Sequence, residues 1–278
     1  MSSDIERLIK QNNFKFQHSL GQNFILDEAI LEDIADASGV GISDHVLEIG
    51  AGAGSLTRML CKRAGKVLAL EIDKNLMPML GVVLSPFDNV HVENADVMKA
   101  DLASLIEKHL GEGDVHVVAN LPYYITTPVI MMLLESDLPI RSLTIMVQKE
   151  VAQRIAAKPK SKDYGALTLA VQYRMSADIA LEVTAKNFMP PPKVDSSVVV
   201  LRRLEKPPVD TDEKLFFRLV KACFAMRRKT LNNNLCASFS LSKEKAAAII
   251  EKAGFKPTVR GEELSITDIA ALAEAFEE

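Results

Sequence analysis

The stretch Val46-Leu47-Glu48-Ile49-Gly50-Ala51-Gly52-Ala53-Gly54-Ser55-Leu56-Thr57 decides the fold class of this chain. Val46-Leu47-Glu48-Ile49 reads as a strand, and three glycines carry the chain from it into a helix. Glycine allows a tight turn there and lets a ligand come within contact distance of the backbone, because no Cβ intervenes. Taken alone the loop is a weak signal. A nicotinamide enzyme would cradle a pyrophosphate on a similar loop, and a purely structural turn is also compatible.

Outward from this loop, short apolar strands alternate with amphipathic helices, the sequence form of a sheet with parallel strands and crossover helices. Asp27 is placed to cap a helix whose Ile30, Leu31, Ile34 and Ala35 share one face. Further strands are expected at Val67 to Ile72, Val90 to Val92, Val115 to Ala119 and Leu143 to Val147. Leu167 to Tyr173, Ala180 to Val183 and Ser196 to Leu201 also read as strands, separated by short loops, which predicts antiparallel pairing at one sheet edge. Leu204-Glu205-Lys206-Pro207-Pro208-Val209-Asp210 reads as a linker. Beyond it Leu215 to Phe224, Lys229 to Ala237, Ser242 to Ala253 and Thr267 to Phe276 read as helices. The expected organisation is an α/β domain over 1–205 and a small helical domain over 206–278.

With 278 residues, 48% of them hydrophobic, the chain can bury a sizeable core. No stretch approaches the roughly 18 apolar residues of a membrane span, and Met1-Ser2-Ser3-Asp4 does not open a signal peptide, so a cytoplasmic protein is expected. The three cysteines, Cys61, Cys223 and Cys236, have no metal-ligand spacing and read as reduced thiols; neither zinc nor a disulfide is expected. His18, His45, His91, His109 and His116 form no spaced cluster and read as ordinary histidines. A net charge of −4 lacks the basic footprint of a protein that grips nucleic acid by charge alone. Basic residues are nevertheless grouped after residue 150, at Lys158, Lys160 and Lys162, at Arg202 and Arg203, and at Arg227, Arg228 and Lys229. Such groups are usually solvated faces, and also fit a local phosphate-facing patch.

Three further positions sharpen the loop's meaning. Glu71, at the end of the second strand, suits a carboxylate that accepts both ribose hydroxyls, and Asp96, after the third, suits an acceptor for an adenine amino group. Either could instead be a solvated carboxylate or a helix cap. The fourth strand ends in Asn120-Leu121-Pro122-Tyr123. An amide acceptor, a rigid proline and an exposed-tip aromatic build a core poorly and hold a planar amine well. The N6 of adenine is a weak nucleophile, because its lone pair is delocalised into the ring. The Asn120 side-chain oxygen and the Leu121 carbonyl can bind its two N–H groups and aim the lone pair at an electrophile. Tyr123 can stack on the ring. The alternative is a strand ending in a Pro turn with Tyr123 half-buried.

Acid after strand two, acid after strand three and Asn-Leu-Pro-Tyr after strand four together resemble the S-adenosylmethionine-dependent methyltransferases of the Rossmann-like class I. Three more segments narrow the family: Leu20-Gly21-Gln22-Asn23-Phe24, Asn187-Phe188-Met189-Pro190-Pro191-Pro192-Lys193-Val194-Asp195-Ser196 and Arg227-Arg228-Lys229-Thr230-Leu231. With Asn120 to Tyr123 they closely resemble the ribosomal RNA adenine dimethyltransferases of the bacterial small-subunit type, from about Gly21 to Leu264. The resemblance implies a class I methyltransferase sheet with a helical C-terminal domain that recognises the ribosome. It implies N6,N6-dimethylation of two adjacent adenosines near the 3′ end of 16S rRNA in the 30S subunit, with a part in subunit biogenesis. It implies S-adenosylmethionine contacts from Asn23, Ile25, Gly50, Gly52, Glu71, Ile72, Asp96, Val97 and Asn120. It places Asn120, Leu121, Tyr123 and Phe188 at the reacting adenine, held between Tyr123 and Phe188, and Lys193, Arg227, Arg228 and Lys229 against RNA. Three prolines after Phe188 would present its ring at low entropic cost, although a core phenylalanine beside a Pro-rich turn is equally compatible. The chain departs from the family at Ala51, where proline is common, and at Asn232, where arginine is frequent; the second weakens the basic patch.

Other readings stand beside this one. A sister enzyme acting on large-subunit RNA is disfavoured by the long helical domain and by the Phe188 to Ser196 run. A ribosome-assembly factor could combine checkpoint binding with catalysis, and a nicotinamide oxidoreductase would explain Glu71 alone. Hydrolase chemistry has no support. A monomer is the default, since nothing reads as a long interface helix.

Overall fold

The computed structural model describes residues 22–25 and 27–277. Met1 to Asp4, His18, Leu20 and Gly21 lie outside the described residues. The strands are β1 (Phe24–Ile25), β2 (His45–Ile49), β3 (Lys66–Glu71), β4 (Val90–Asn94), β5 (Val115–Asn120), β6 (Ile140–Gln148), β7 (Met175–Val183), β8 (Phe188–Met189) and β9 (Ser196–Arg203). Seven of them form one sheet in the order β4-β3-β2-β5-β6-β9-β7. β2 pairs in parallel with β3 and with β5, and β4 and β6 extend the parallel set. β9 then runs antiparallel to β6, with Ile145 opposite Val199.

The register explains where a site can form. Ile49 stands opposite both Leu70 of β3 and Ala119 of β5, so the three strands end level and Gly50, Glu71 and Asn120 leave the sheet side by side. The chain passes from β2 to β3 on one side and reaches β5 on the other. Such a reversal opens a crevice at the carboxyl ends of the strands. Val46, Leu47, Val117 and Val118 are buried, as expected of central parallel strands covered on both faces. The Glu28–Ser38 helix is capped by the Asp27 side chain, and Gly39, at φ 69°, ends it in the left-handed conformation.

The described residues fall into two compact units. The first runs to Ala152 and resumes over Ala177–Arg203; the second comprises Gln153–Ser176 and everything from Leu204 onward. Residues 153–176, counted with the first domain on sequence, thus belong with the second. Leu167 to Tyr173, expected as a strand, is largely the Ala166–Gln172 helix. A short apolar run does not distinguish the two, and packing decides: Leu169 and Tyr173 enter one core with Phe216, Leu219, Leu231 and Leu272. Thr168 Oγ1 also donates to the Arg154 carbonyl at 2.5 Å, a bond the helical turn makes possible.

In that second unit, Asp212, Thr230 and Ser242 cap the helices Glu213–Ala225, Leu231–Phe239 and Lys243–Lys252 with their side-chain oxygens. The Tyr164 hydroxyl donates to Leu264 O at 2.8 Å. The helix expected from Lys229 starts at Leu231, because Thr230 is the cap and the three basic residues before it lie in a turn. The two-residue pairing of β1 with antiparallel β8 carried no sequence signal. None of the described helices is long and apolar enough to cross a membrane.

Candidate active site

A cavity of about 280 Å³ lies at the carboxyl ends of the parallel strands in the first unit. Asn23, Ile25, Gly50, Gly52, Glu71, Ile72, Asp96, Val97 and Asn120 all line it, and so do Leu121, Tyr123 and Phe188. The cofactor-side and adenine-side residues expected from sequence therefore share one chamber.

Local geometry explains how they are held. Gly50, Gly52 and Gly54 have φ of 81°, 56° and 81°, the region that side chains disfavour. At Gly52 a Cβ would stand 2.7 Å from the Phe24 ring, so the loop closes against β1 only with glycine there. The Gly52 N–H donates to Glu71 Oε2 at 2.7 Å, and the Asp73 N–H donates to Oε1 at 2.8 Å. Burial pushes the Glu71 carboxyl above the usual carboxylate range, against these two donors. Each of its oxygens keeps a lone pair for a further hydroxyl, which fits the ribose expected there. Asp96 is also engaged: Oδ1 accepts from the Met98 N–H at 3.0 Å, and Oδ2 stands 3.1 Å from Lys99 Nζ. Ile72 and Met98, 49% and 43% exposed, put apolar surface on the same wall, which suits the face of a purine.

Glu48 is the buried charge problem of the site. It is 1% exposed, lines the cavity, and its Oε2 has no hydrogen-bond partner. Burial pushes its carboxyl up to about 8, and the nearby Glu71 adds to the rise. Burial thus favours the uncharged form of Glu48, which puts a hydrogen-bonding group on the lining of the cavity.

Asn120 donates from Nδ2 to the Asn23 carbonyl at 3.4 Å, which orients its amide with Oδ1 as the remaining acceptor. Tyr123 differs from its expected exposed tip. It is the first residue of the Tyr123–Glu135 helix, half-buried, with its hydroxyl 2.8 Å from Ser196 Oγ. Burial raises its phenol above the ordinary range. The exposed aromatic is the next residue, Tyr124, at 62%. Phe188 is 6% exposed, so it is a core side chain packed with Ile25, Leu31 and Ile34 as well as a wall of the cavity.

The basic residues proposed to meet RNA stand outside this lining. Lys193 is exposed, as are Arg227, Arg228 and Lys229. Arg227 is tied to Glu262 at 3.0 Å and donates to the Lys162 carbonyl. Asn232 donates to the Lys243 carbonyl at 3.2 Å and so joins two helices. Arg202 pairs with Asp178 at 3.2 Å.

The histidines need one correction. His91, Glu93 and His109 form a group whose ligand atoms lie within 4.8 Å of one another, although their spacing gave no sign of it. Alternation puts His91 and Glu93 on one face of β4, and the Leu102–His109 helix brings His109 onto it. The two imidazoles stack at 3.6 Å and 12°, an arrangement that does not direct both ring lone pairs at one point. Cys61 and Cys223 are buried, with thiols pushed up to about 12 by burial, and Cys236 is half-buried.

Sequence reasoning missed Phe24, Glu48, Met98, Tyr124 and Ser196 as parts of the site. Only the Tyr123-Tyr124 doublet and the acid inside β2 offered a signal.

A protein from Macrococcus caseolyticus, "Ribosomal RNA small subunit methyltransferase A", is 50% identical over 96% of this chain and 92% of its own length. Its namesake from Geobacillus thermodenitrificans is 48% identical over 98% and 94%. Among solved structures, a dimethyladenosine transferase from Plasmodium falciparum matches with a TM-score of 0.77 at 26% identity, over 91% of this chain and 97% of that one. The 23S rRNA methyltransferase ErmE matches with a TM-score of 0.70, also at 26% identity, over 92% and 100%. The model of the family described as ribosomal RNA adenine dimethylase matches residues 13–278. With that match across nearly all of the sequence and the expected residues gathered in one cavity, the chain belongs to the ribosomal RNA adenine dimethylase family.

Proposed function

We propose that this enzyme transfers methyl groups from S-adenosylmethionine to N6 of two adjacent adenosines in the 3′-terminal loop of 16S rRNA, within the 30S subunit. The observation that carries the reading is the common chamber of Glu71, the glycine loop and the Asn120 to Tyr123 segment. Identity of 48% and 50% to small-subunit enzymes, against 26% to a 23S rRNA methyltransferase of similar fold, favours the small-subunit target. The same reading carries a cytoplasmic enzyme, where its ribosomal substrate would be met, acting as a monomer.

S-adenosylmethionine, when bound, supplies an electrophilic methyl on a sulfonium centre. Glu71 would take its ribose hydroxyls, Gly50 and Gly52 would admit its backbone-like tail, and Ile72, Asp96 and Val97 would face its adenine. On the substrate side, Asn120 Oδ1 and the Leu121 carbonyl would accept the two N6 hydrogens and turn the nitrogen lone pair toward the methyl. Tyr123 and Phe188 would hold the ring. Orientation of this kind supplies on the order of 7–11 kcal/mol without a strong base. The proton leaving the methylated nitrogen can pass to water.

The test is transfer of labelled methyl to 30S subunits that lack dimethyladenosine, with the labelled nucleotides mapped. Label on two neighbouring adenosines of the terminal loop is expected. Label confined to 50S subunits, or none, would refute the reading.

A further inference from the structure

We infer that Tyr124 forms a second base-binding position at the rim of the cavity, stacking on the nucleobase that neighbours the adenosine inside. The inference rests on the function proposed above and adds a substrate contact to it. Two tyrosines in succession begin the Tyr123–Glu135 helix, and successive residues of a helix point about 100° apart. Tyr123 therefore turns inward, where Ser196 holds its hydroxyl, while Tyr124 is 62% exposed and still lines the same cavity.

The ring is carried on a rigid support. Pro122 is the N-cap, and its carbonyl accepts from the Ile125 N–H and from Thr126 Oγ1, both at 3.1 Å. Thr126 itself is 1% exposed, so the first turn is anchored on its inner side. An exposed aromatic on a fixed turn binds a flat partner at small entropic cost. A nucleotide drawn out of its stack leaves its neighbour with one bare face, and aromatic side chains cover such faces with little regard to base identity. Because the two target adenosines are adjacent, the one waiting its turn is the natural occupant of the rim.

Steady-state methylation of 30S subunits lacking dimethyladenosine tests this, with S-adenosylmethionine affinity measured on the same preparations. Tyr124→Ala should raise KM for the subunit roughly five- to tenfold, with a much smaller change in kcat and unaltered cofactor affinity. Tyr124→Phe should behave as wild type, since stacking uses the ring and not the hydroxyl. A KM within twofold of wild type for Tyr124→Ala would overturn the inference. So would a Phe variant as impaired as the Ala variant, or an Ala variant whose loss lies in cofactor affinity. A wild-type enzyme that labels no adenosine removes the functional reading itself; a labelling wild type with an indifferent Tyr124→Ala removes only the rim position.

Discussion

The Tyr123 hydroxyl lies 2.8 Å from Ser196 Oγ, which ties the first residue of a helix to the first residue of the antiparallel strand β9. Ser196 is fully buried, so the bond is shielded from water and fixes the ring on one side of the cavity. Ser196→Ala should cost about 1 kcal/mol in stability, the usual net value of a hydrogen bond. It should also lower kcat several-fold while S-adenosylmethionine binding is kept. Denaturant titration and single-turnover methylation measure the two effects, and a variant with wild-type kcat would show that the tether does not position Tyr123.

Asn120 has a heavier task in the proposed reaction. Its Nδ2 is committed to the Asn23 carbonyl, which leaves Oδ1 as the acceptor for N6. Removing one aligned polar group of this kind from a reacting centre typically costs on the order of a hundredfold in turnover. Asn120→Ala should therefore cut kcat by about that factor, with cofactor binding weakened but measurable by calorimetry. Unchanged turnover would exclude the amine-orienting role.

Glu48 makes stability depend on pH in a defined direction. Its carboxyl ionises near 4.5 in an unfolded chain and only at about 8 in the fold, so the folded protein holds a proton that the unfolded chain has lost. The associated stability is full below pH 4.5 and declines as pH rises toward 8. Glu48→Gln, which cannot ionise, should flatten the Tm profile between those limits and raise Tm most at the alkaline end. Equal slopes for the two proteins would count against a neutral Glu48.

His116 acts in the opposite sense. Burial holds its imidazole below the usual value of 6.5, so the unfolded chain takes up a proton first as the medium is acidified. Stability conferred by the neutral ring is present above pH 6.5 and is lost below it. His116 Nδ1 is 2.8 Å from Ser142 Oγ within the sheet. A His116→Asn variant should lose less stability than wild type between pH 6.5 and 5, in thermal melts of the two proteins run in parallel. Matching losses would remove His116 as the cause.

Arg228 and Lys229 are exposed in the turn before the Leu231–Phe239 helix, whereas Arg227 is bound to Glu262. If the turn meets phosphate, Arg228→Ala with Lys229→Ala should raise KM for 30S subunits and lower the salt slope of binding by about one for each phosphate interaction removed. Cofactor affinity should not move. A salt slope identical to wild type would place the RNA-binding residues elsewhere.

The alternation of strands and helices, the glycine turn and the acid at the end of β3 were legible because each rests on local chemistry. Hydrophobic period sets the element, glycine sets the positive φ, and strand length sets where Glu71 emerges. Residues 167–173 misled because a short run of buried apolar residues fits a strand or a helix equally, and only the core around Phe216 and Leu219 chose. The same limit hid the His91, Glu93 and His109 group, whose members come from a strand and the following helix.

By itself, then, the order of residues was enough to establish the class of fold, the family and the chemical types available to the site. Tertiary packing alone decided which tyrosine faces inward, that burial disfavours a charge on Glu48, and that both oxygens of Glu71 already hold backbone donors. The reason is physical. Secondary structure and turn geometry follow from neighbours in sequence, whereas burial, pairing and charge state depend on groups that meet only when Ile49, Leu70 and Ala119 come into register.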